Sequence, residues 1–388
     1  MKPIRILGVG MTKFGELWEK SLVDLAEEAA MKAVKTSDLG LKDLDAIFIG
    51  NMLSASVTGQ EHLGALVAER LNLKIPAVRI EGACASGAMA IHQACLAIAS
   101  GHYQKVLVIG VEKMTDLSTA EVNQALMGAS AEAEEGVNGF TFASLYALMA
   151  RVYMEKYGLK EKDLAHVAIK NHYHASLNPL AQFPFKVSLK QVLESPLVAD
   201  PLKVLDCSPI TDGAAAIIMT NGKGKMENRK APVSIIGSSL VSDTLSLSAR
   251  KDIIEQAATR KAAEEALQMA GIKIKEIDLA EVHDCFTIAE IIGLESLGFF
   301  KKGEAGKATA KGMTRYDGAL PVNTSGGLKA CGHPVGATGV KQIVELVLQL
   351  RGEAGKRQVK KARVGLAQNI GGSGSTAVVH ILRRENHV

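Results

Sequence analysis

Cysteine is scarce in this sequence, with five residues among 388 and no Cys-x-x-Cys pair. A disulfide framework or a zinc ribbon requires more cysteines at regular spacing, so we expect neither. A few unpaired cysteines are typical of a reducing compartment. The N-terminal residues MKPIRILGVG lead directly into a predicted strand without a signal peptide, and we therefore expect a cytoplasmic protein.

Long apolar runs and a strong charge imbalance are also missing. No stretch of eighteen consecutive apolar residues occurs, so we expect no membrane-spanning helix. The formal net charge is only +4 and is spread along the chain, which gives no indication of a nucleic-acid partner. The apolar fraction of 47% and the 37 glycines are instead typical of a compact α/β enzyme.

One order of predicted elements occurs twice along the chain. In the first copy the elements are RILGVG (strand), LVDLAEEAAMKAVKTSDLG (helix), LDAIFIGN (strand), a Gly-rich turn with its helix, and KVLVIGVE (strand). In the second copy they are VSIIGSSL, IIEQAATRKAAEEALQMAG, EIDLAEVHDCF, GHPVGATGVKQIVELVLQLRG and ARVGLAQNIGGSGS. This alternation predicts mostly parallel sheets covered on both faces. Two such halves would bring their corresponding turns to one shared site.

The repeat divides the chain into two halves and one segment that fits neither. We assign 1–117, completed by 206–228, to the N-terminal half and 229–388 to the C-terminal half. The intervening 118–205 contains two predicted helices and is interpreted as an inserted loop domain over the site. The alternative is a stabilising helical excursion without ligand contact. The polar, Gly- and Lys-rich stretch 222–232 is interpreted as the linker between the halves.

Cys84 is the first candidate for chemistry, because it lies in a turn of small residues within EGACASG. Residues 85–99 are Ala-rich and lack proline, so they predict a buried helix that begins directly after the cysteine. The unpaired N–H groups and the dipole of a helix N-terminus favour a thiolate, which predicts a lowered pKa. The alternative is a structural cysteine packed among alanine and glycine.

Four polar residues in the C-terminal half are candidate partners. His283 and Cys285 lie two apart at a strand end, and Cys331 and His333 lie two apart in the turn before a helix. They suit a cysteine nucleophile as base, acid and oxyanion donors. Two His and two Cys also suit zinc, but the usual spacing of zinc ligands is absent, and we expect no metal. A third interpretation is four separate packing residues.

The last predicted strand ends in a further Gly-rich turn. Its residues Asn369, Gly371 and Gly372 are candidates for binding substrate, because the N–H groups of such a turn are available to hold a carbonyl oxygen.

Four blocks of this sequence resemble the signature blocks of the thiolase superfamily: EGACASG, HDCF, GHPVGATG and NIGG. The HDCF form resembles the sterol-carrier-protein-2-type thiolases and their archaeal and bacterial relatives, which include archaeal acetyl-CoA acetyltransferases. The similarity spans nearly the whole chain. It implies an α/β fold with duplicated βαβαβαββ halves in a layered α-β-α-β-α arrangement and an inserted loop domain.

The resemblance implies Claisen chemistry on coenzyme A thioesters, with no cofactor. Cys84 would take the acetyl group of one acetyl-CoA, and a second acetyl-CoA would attack the acyl-enzyme to give acetoacetyl-CoA, or the reverse. His333 would act as base, and His283 would help to hold an oxyanion. The N–H groups of Cys84 and of the turn at Gly372 would hold a second oxyanion.

One block departs from the family pattern. The usual thiolase has a second catalytic cysteine in the final turn, where this chain has Asn369. The resemblance to the HDCF subfamily implies that Cys285 replaces it, and Cys331 is the weaker candidate.

The resemblance also implies partners. We expect a homodimer or a dimer of dimers. Archaeal relatives act with HMG-CoA synthase and a small zinc-containing OB-fold scaffold protein, feeding the mevalonate pathway. The alternatives are a degradative 3-ketoacyl-CoA thiolase of sterol-carrier-protein-2 type and a non-catalytic acyl-CoA or lipid-binding subunit.

Overall fold

The computed structural model describes residues 2–221 and 231–385. The predicted linker 222–232 lies outside the described residues except for its last two positions. The described strands are β1 (Ile4–Met11), β2 (Ala46–Gly50), β3 (Ala77–Ile80), β4 (Lys105–Glu112), β5 (Leu197–Ala199), β6 (Leu202–Lys203), β7 (Gly213–Thr220), β8 (Val233–Ser242), β9 (Leu279–Glu281), β10 (Val364–Gly371) and β11 (Thr376–Arg384).

The helices of the described residues lie in both halves of the chain and in the segment between them. They are α1 (Leu22–Lys35), α2 (Leu63–Arg70), α3 (Ser86–Ala99), α4 (Thr119–Met127), α5 (Phe142–Tyr157), α6 (Glu161–Ala175), α7 (Leu189–Leu193), α8 (Ala257–Ala270), α9 (Thr287–Ser296), α10 (Ala305–Ala310), α11 (Gly327–Cys331) and α12 (Val335–Arg351). Within the described ranges, none of these helices combines the length and the apolar character needed to cross a bilayer.

Nine strands form one sheet in the order β3-β2-β4-β7-β1-β8-β11-β10-β9. The two halves meet where β1 runs antiparallel to β8, with Ile4 opposite Ile235. The prediction of mostly parallel sheets is wrong, because only β2–β3, β2–β4 and β9–β10 pair in parallel among the described strands. The apolar runs misled the prediction: every residue of β7 is buried although β7 is antiparallel to both neighbours. Burial on both faces gives such a run in either direction.

The duplicated, layered α/β architecture is confirmed. Each half contains the same succession, with β1, α1, β2, α3, β4 and β7 matched by β8, α8, β9, α12, β10 and β11. Helices α3 and α12 share one buried core with strands of both halves, in which Ile91 and Ile343 pack with Val108, Ile217 and Leu382. A second core lies on the other face of the first half, between α1, α2 and the strands. Apolar burial on both faces stabilises the layers.

The segment between β4 and β7 contains α4 to α7 and the antiparallel pair β5–β6. The two helices predicted there are confirmed as α5 and α6. Helix α5 begins at an N-cap, Thr141, whose side chain accepts a hydrogen bond from the Ser144 N–H. Its Leu145 and Met149 belong to the core that contains Ile288 of α9. The segment is therefore anchored on the second half of the chain.

The N-termini of α3 and α12 cross in direct backbone contact. A Cβ atom at Gly87 would lie 2.5 Å from the carbonyl oxygen of Gly336, and one at Gly339 would lie 2.3 Å from the Ala88 nitrogen. Real Cβ atoms do not approach backbone so closely. These glycines therefore allow the turn before α3 and the turn before α12 to meet.

Replacing Gly87 with alanine should destabilise the protein, because the new methyl group would press on backbone that cannot rotate away. We expect a loss of about 1–3 kcal/mol in the free energy of unfolding, as for overpacked cores. Urea titration followed by circular dichroism measures it. Gly15→Ala is the matched control, since no described atom lies within 4 Å of its new Cβ. A stability loss equal to that of the control would contradict the packing argument.

Candidate active site

Cys84 lies in a 3-10 turn, Ala83–Ala85, that leads directly into α3. The preceding residue, Ala83, has a φ of 54°, a left-handed conformation that costs energy in a residue with a side chain. This turn brings the thiol to the position predicted for it, just before the helix. The backbone N–H groups of Gly372 and of Cys84 itself act on the sulfur and favour its charged form.

The prediction of a lowered thiol pKa is wrong. Burial raises the pKa of the Cys84 thiol to about 12, and the nearby Glu112 carboxylate raises it further. The two N–H groups act in the opposite direction but do not compensate for the loss of solvent. Cys84 is therefore a thiol at neutral pH, and its attack on a substrate requires a base.

His333 lies in the turn before α12, where its ring faces Cys84. Its Nδ1 lies 2.7 Å from the Thr338 hydroxyl oxygen, and that hydroxyl donates to the Pro334 carbonyl oxygen at 3.1 Å. The Thr338 oxygen therefore accepts the Nδ1 proton, and Nε2 is left with a lone pair. Burial lowers the pKa of His333 to about 3, so the ring is neutral. This is the protonation state of a general base.

His283 follows β9 and is fixed from behind by Asn369. The Asn369 amide nitrogen lies 2.9 Å from Nδ1 of the ring and donates to it, which places the ring proton on Nε2. Burial and the neighbouring His333 hold the pKa of His283 well below its usual value. The two rings are perpendicular, with centroids 5.1 Å apart. Neither Nε2 atom has a hydrogen-bond partner among the described residues.

The three residues of the final turn that the sequence predicts to bind substrate lie in different positions relative to the cavity. Asn369 lies behind His283 and does not line the cavity. At Gly371 a Cβ atom would lie 2.5 Å from the Gly82 carbonyl oxygen, so this residue is the point where β10 touches the turn at Cys84. Gly372, with a φ of 61°, presents its N–H to the Cys84 sulfur.

The structure separates the two candidates for a second thiol. Cys285 lines the same cavity as Cys84 and Tyr146, and the Tyr146 hydroxyl donates to the Gly372 carbonyl oxygen at 3.2 Å. Burial, followed by the proximity of Cys84, raises the pKa of the Cys285 thiol well above its usual value. Cys331 is fully buried behind the turn, where its sulfur contacts the Asn178 amide nitrogen at 3.7 Å. The four-residue zinc set considered from sequence is therefore not assembled.

A cavity of about 550 Å³ opens above Cys84, His283, Cys285 and His333. The segment between β4 and β7 contributes most of its apolar walls, which include Met114, Leu126, Phe142, Phe183, Val198 and Ile210. The interpretation of this segment as an excursion without contact to the site is therefore disfavoured.

Sequence reasoning missed Tyr146 and Thr338. Tyr146 lies on α5, far from every recognised block, and only the packing of α5 on α9 brings its hydroxyl to Cys285. Thr338 lies within GHPVGATG and could have been found, because a hydroxyl five residues after a histidine in a turn-helix junction lies within reach of the ring.

Glu112 connects the elements beneath the site. Its carboxylate accepts hydrogen bonds from the N–H groups of Met52, Leu53 and Gly336 and from the Asn51 amide. It thus ties the ends of β2 and β4 to the turn that carries His333. Burial raises the pKa of Glu112 to about 7 although these donors favour its charged form.

Comparisons with known proteins identify the fold and family. The model for the N-terminal domain of thiolases matches residues 4–223, and that for the thiolase C-terminal domain-like family matches residues 239–384. An acetyl-CoA acetyltransferase of Methanothermobacter thermautotrophicus is 49% identical over 99% of this chain and 100% of its own. Sterol carrier protein 2 of Bos taurus is 34% identical over 96% of this chain and 71% of its own. The solved structure "Ltp2-ChsH2(DUF35) aldolase" superposes with a TM-score of 0.86 at 25% identity, over 100% of this chain and 99% of that one.

Thr338→Val should slow the reaction of Cys84 with iodoacetamide, because the valine cannot accept the Nδ1 proton that leaves Nε2 free. We expect a loss of about tenfold, part of the roughly 10²–10⁴ that a positioned base contributes. Peptide mapping after timed alkylation gives the rate at each cysteine. Thr338→Ser keeps the hydroxyl and should retain the wild-type rate. Equal rates for the valine and serine variants would contradict the proposed tautomer.

Proposed function

We propose that this chain, which belongs to the thiolase family, is an acyl-CoA C-acetyltransferase that interconverts two acetyl-CoA with acetoacetyl-CoA and CoA through an acetyl-Cys84 intermediate. The chain is an acyltransferase, as its thiolase domains and its 49% identical acetyl-CoA acetyltransferase relative indicate. The substrates and the roles of individual residues are our proposal. The single observation that carries it is the convergence of Cys84, two unpartnered imidazole Nε2 atoms and Cys285 on one cavity within the described part of the chain.

The first half-reaction uses Cys84 and His333. His333 Nε2 takes the thiol proton as the sulfur attacks the thioester carbonyl of acetyl-CoA. The negative charge that develops on the carbonyl oxygen is held by the N–H groups of Cys84 and Gly372, which already converge on the sulfur. CoA leaves as its thiolate and takes the proton from His333, so the enzyme returns to a neutral state. The products are acetyl-Cys84 and CoA.

The second half-reaction uses Cys285. The Cys285 thiol first gives its proton to solvent, and the thiolate then removes an α-proton from a second acetyl-CoA. The resulting enolate carbon attacks the acetyl carbonyl on Cys84. The enolate oxygen needs donors, and His283 Nε2–H supplies one. Collapse of the tetrahedral intermediate breaks the bond to Cys84 and releases acetoacetyl-CoA. The Cys84 thiolate then takes a proton from solvent, which restores the neutral enzyme. The nearby Tyr146 hydroxyl supports this role, because it acts to lower the pKa of the Cys285 thiol against the effect of burial.

We infer that 118–205 acts as the loop domain that completes the substrate cavity, since its residues form much of the apolar wall. The proposed partners are a second copy of the chain, HMG-CoA synthase and a small zinc-containing OB-fold scaffold protein, with acetoacetyl-CoA feeding mevalonate synthesis. The 49% identity to an archaeal acetyl-CoA acetyltransferase supports this proposal. The 25% identical solved structure is named for ChsH2(DUF35) as well as for Ltp2, which supports a second protein.

A degradative 3-ketoacyl-CoA thiolase is the alternative, favoured by the 34% identity to sterol carrier protein 2. It would use the same residues in the direction of cleavage. Steady-state kinetics with acetoacetyl-CoA and with longer 3-ketoacyl-CoA esters distinguish the two, because a degradative enzyme prefers the longer chains.

Cys84→Ala should abolish covalent acetylation, because no other thiol of the described residues lies beside both Nε2 atoms. Intact-protein mass spectrometry after mixing with acetyl-CoA should show one acetyl group on the wild type, which added CoA removes. Peptide mapping should place it on Cys84. Acetylation that persists in the variant would assign the nucleophile to another cysteine.

Cys285→Ala should separate the two half-reactions. We expect acetylation of Cys84 within about twofold of wild type, and a fall of about 10²–10⁴ in the rate of condensation, the usual contribution of a positioned base. Coupled detection of acetoacetyl-CoA measures the second quantity. Cys331→Ala is the matched control, because its sulfur lies outside the cavity, and it should condense normally. Normal condensation by Cys285→Ala would assign the α-proton to another group.

A further inference from the structure

Cys84, His283 and His333 form a cluster whose ligand atoms all lie within 4.8 Å of one another. We propose that this cluster binds a soft divalent cation, with Zn²⁺ as the best candidate, and that the bound ion blocks the acylation of Cys84. The binding follows from the geometry alone, whereas the block rests on the function proposed above.

The distances are close to those of a catalytic-type zinc site. Zinc bonds of about 2.3 Å to sulfur and about 2.0 Å to nitrogen place ligand atoms about 3.5 Å apart at tetrahedral angles. The upper limit of 4.8 Å exceeds this by roughly 1 Å, so binding requires the three side chains to move slightly closer together. Three protein ligands leave a fourth position, which faces the cavity. Three N/S ligands with one open position are typical of catalytic zinc.

The second independent observation is that both imidazole nitrogens are unsatisfied. Nε2 of His283 and Nε2 of His333 are buried and have no partner within the described ranges. The opposite nitrogen of each ring is already held, by Asn369 and Thr338. His333, which donates through Nδ1 and has a lone pair on Nε2, is in the usual state of a metal-binding histidine. His283 reaches that state only when its Nδ1 carries the ring proton.

Asn369 sets which of two roles His283 can take. Facing the ring with its nitrogen, the amide leaves a proton on Nε2 and makes His283 a hydrogen-bond donor. The Asn369 Oδ1 atom is itself buried without a partner among the residues described. An amide rotated by 180° would accept the Nδ1 proton through this oxygen and leave Nε2 with the lone pair that a metal requires. The donor state and the metal-binding state thus exclude each other.

Binding of the ion breaks the S–H bond of Cys84, forms a metal–sulfur bond and releases one proton to solvent, with no electron transferred. The sulfur lone pair that attacks the thioester is then occupied, and His333 is no longer available as base. Acylation therefore stops until a chelator removes the ion.

Cobalt titration of the full-length protein tests the site directly. Co²⁺ should bind with one equivalent per chain and give a sulfur-to-cobalt charge-transfer band together with the strong ligand-field bands of four-coordinate cobalt, and Zn²⁺ should displace it. Cys84→Ala should lose the charge-transfer band. Cys95→Ala, which removes the fully buried cysteine of α3, is the control and should keep the band. A band that survives in Cys84→Ala, or no band in the wild type, overturns the proposal.

A wild-type measurement avoids any folding defect of the variants. At a Zn²⁺ concentration about tenfold above its dissociation constant, alkylation of Cys84 by iodoacetamide should slow by about tenfold. Cys207 also lines the cavity but lies outside the cluster, so it serves as the internal reference and should react at an unchanged rate. Unprotected Cys84 at saturating Zn²⁺ overturns the proposal.

The variant Asn369→Asp should change the affinity for cobalt in a direction that a purely structural role of Asn369 would not produce. A carboxylate accepts the Nδ1 proton of His283 and cannot donate, so the variant should bind Co²⁺ about tenfold more tightly, as changes to the group behind a metal-binding histidine usually alter affinity. Weaker cobalt binding by this variant contradicts the arrangement.

Wild-type protein that acetylates on Cys84 but gives no cobalt spectrum would refute the metal site alone. A cobalt spectrum in protein that never acetylates would refute the proposed function alone.

Discussion

The contact between the N-termini of α3 and α12 is the constraint on which the site depends. Gly87 and Gly339 let the two helices approach until backbone touches backbone, and the residues just before each helix are Cys84 and His333. The proposed nucleophile and its proposed base come from turns in opposite halves of the chain, so neither helix alone can set their distance. Glu112 supports the His333 turn from beneath, because its carboxylate accepts from the N–H groups of Gly336 and of Met52, which follows β2. The Gly-rich sequences around both residues are therefore explained by packing as much as by chemistry.

Burial then determines how the cluster works. It raises the pKa of Cys84 and lowers those of His283 and His333, so every member of the cluster is neutral before substrate arrives. A neutral thiol beside a neutral imidazole requires no compensating charge in an apolar cavity, which reduces the cost of burying the site. Charge appears only when the sulfur attacks, and donors are already in place where it appears. The resulting site is poor at holding a free thiolate and well prepared for a transition state.

The sequence predicted the architecture better than the electrostatics. The duplicated order of elements, the helix after Cys84 and the helices α5 and α6 follow from periodicity and glycine placement, because these patterns are local. The direction of strand β7 does not follow from such a pattern, because a strand buried on both faces has the same composition in either orientation. The pKa of Cys84 was predicted from the helix terminus alone, and burial, which depends on the whole fold, outweighed it. Tyr146 could not be found because it reaches Cys285 only through the packing of α5 on α9.

The candidate second thiol, Cys285, lies after β9 and not in the final turn. The position of Asn369 in that turn is therefore available to a residue that faces the back of His283. An amide there is a neutral side chain that can either donate to the ring or accept from it, so its chemistry leaves the tautomer of His283 undecided. The surrounding packing, with Gly339 close to the Asn369 oxygen, must then select the orientation. The same amide therefore determines whether Nε2 of His283 donates a hydrogen bond or offers a lone pair, and the two states exclude each other.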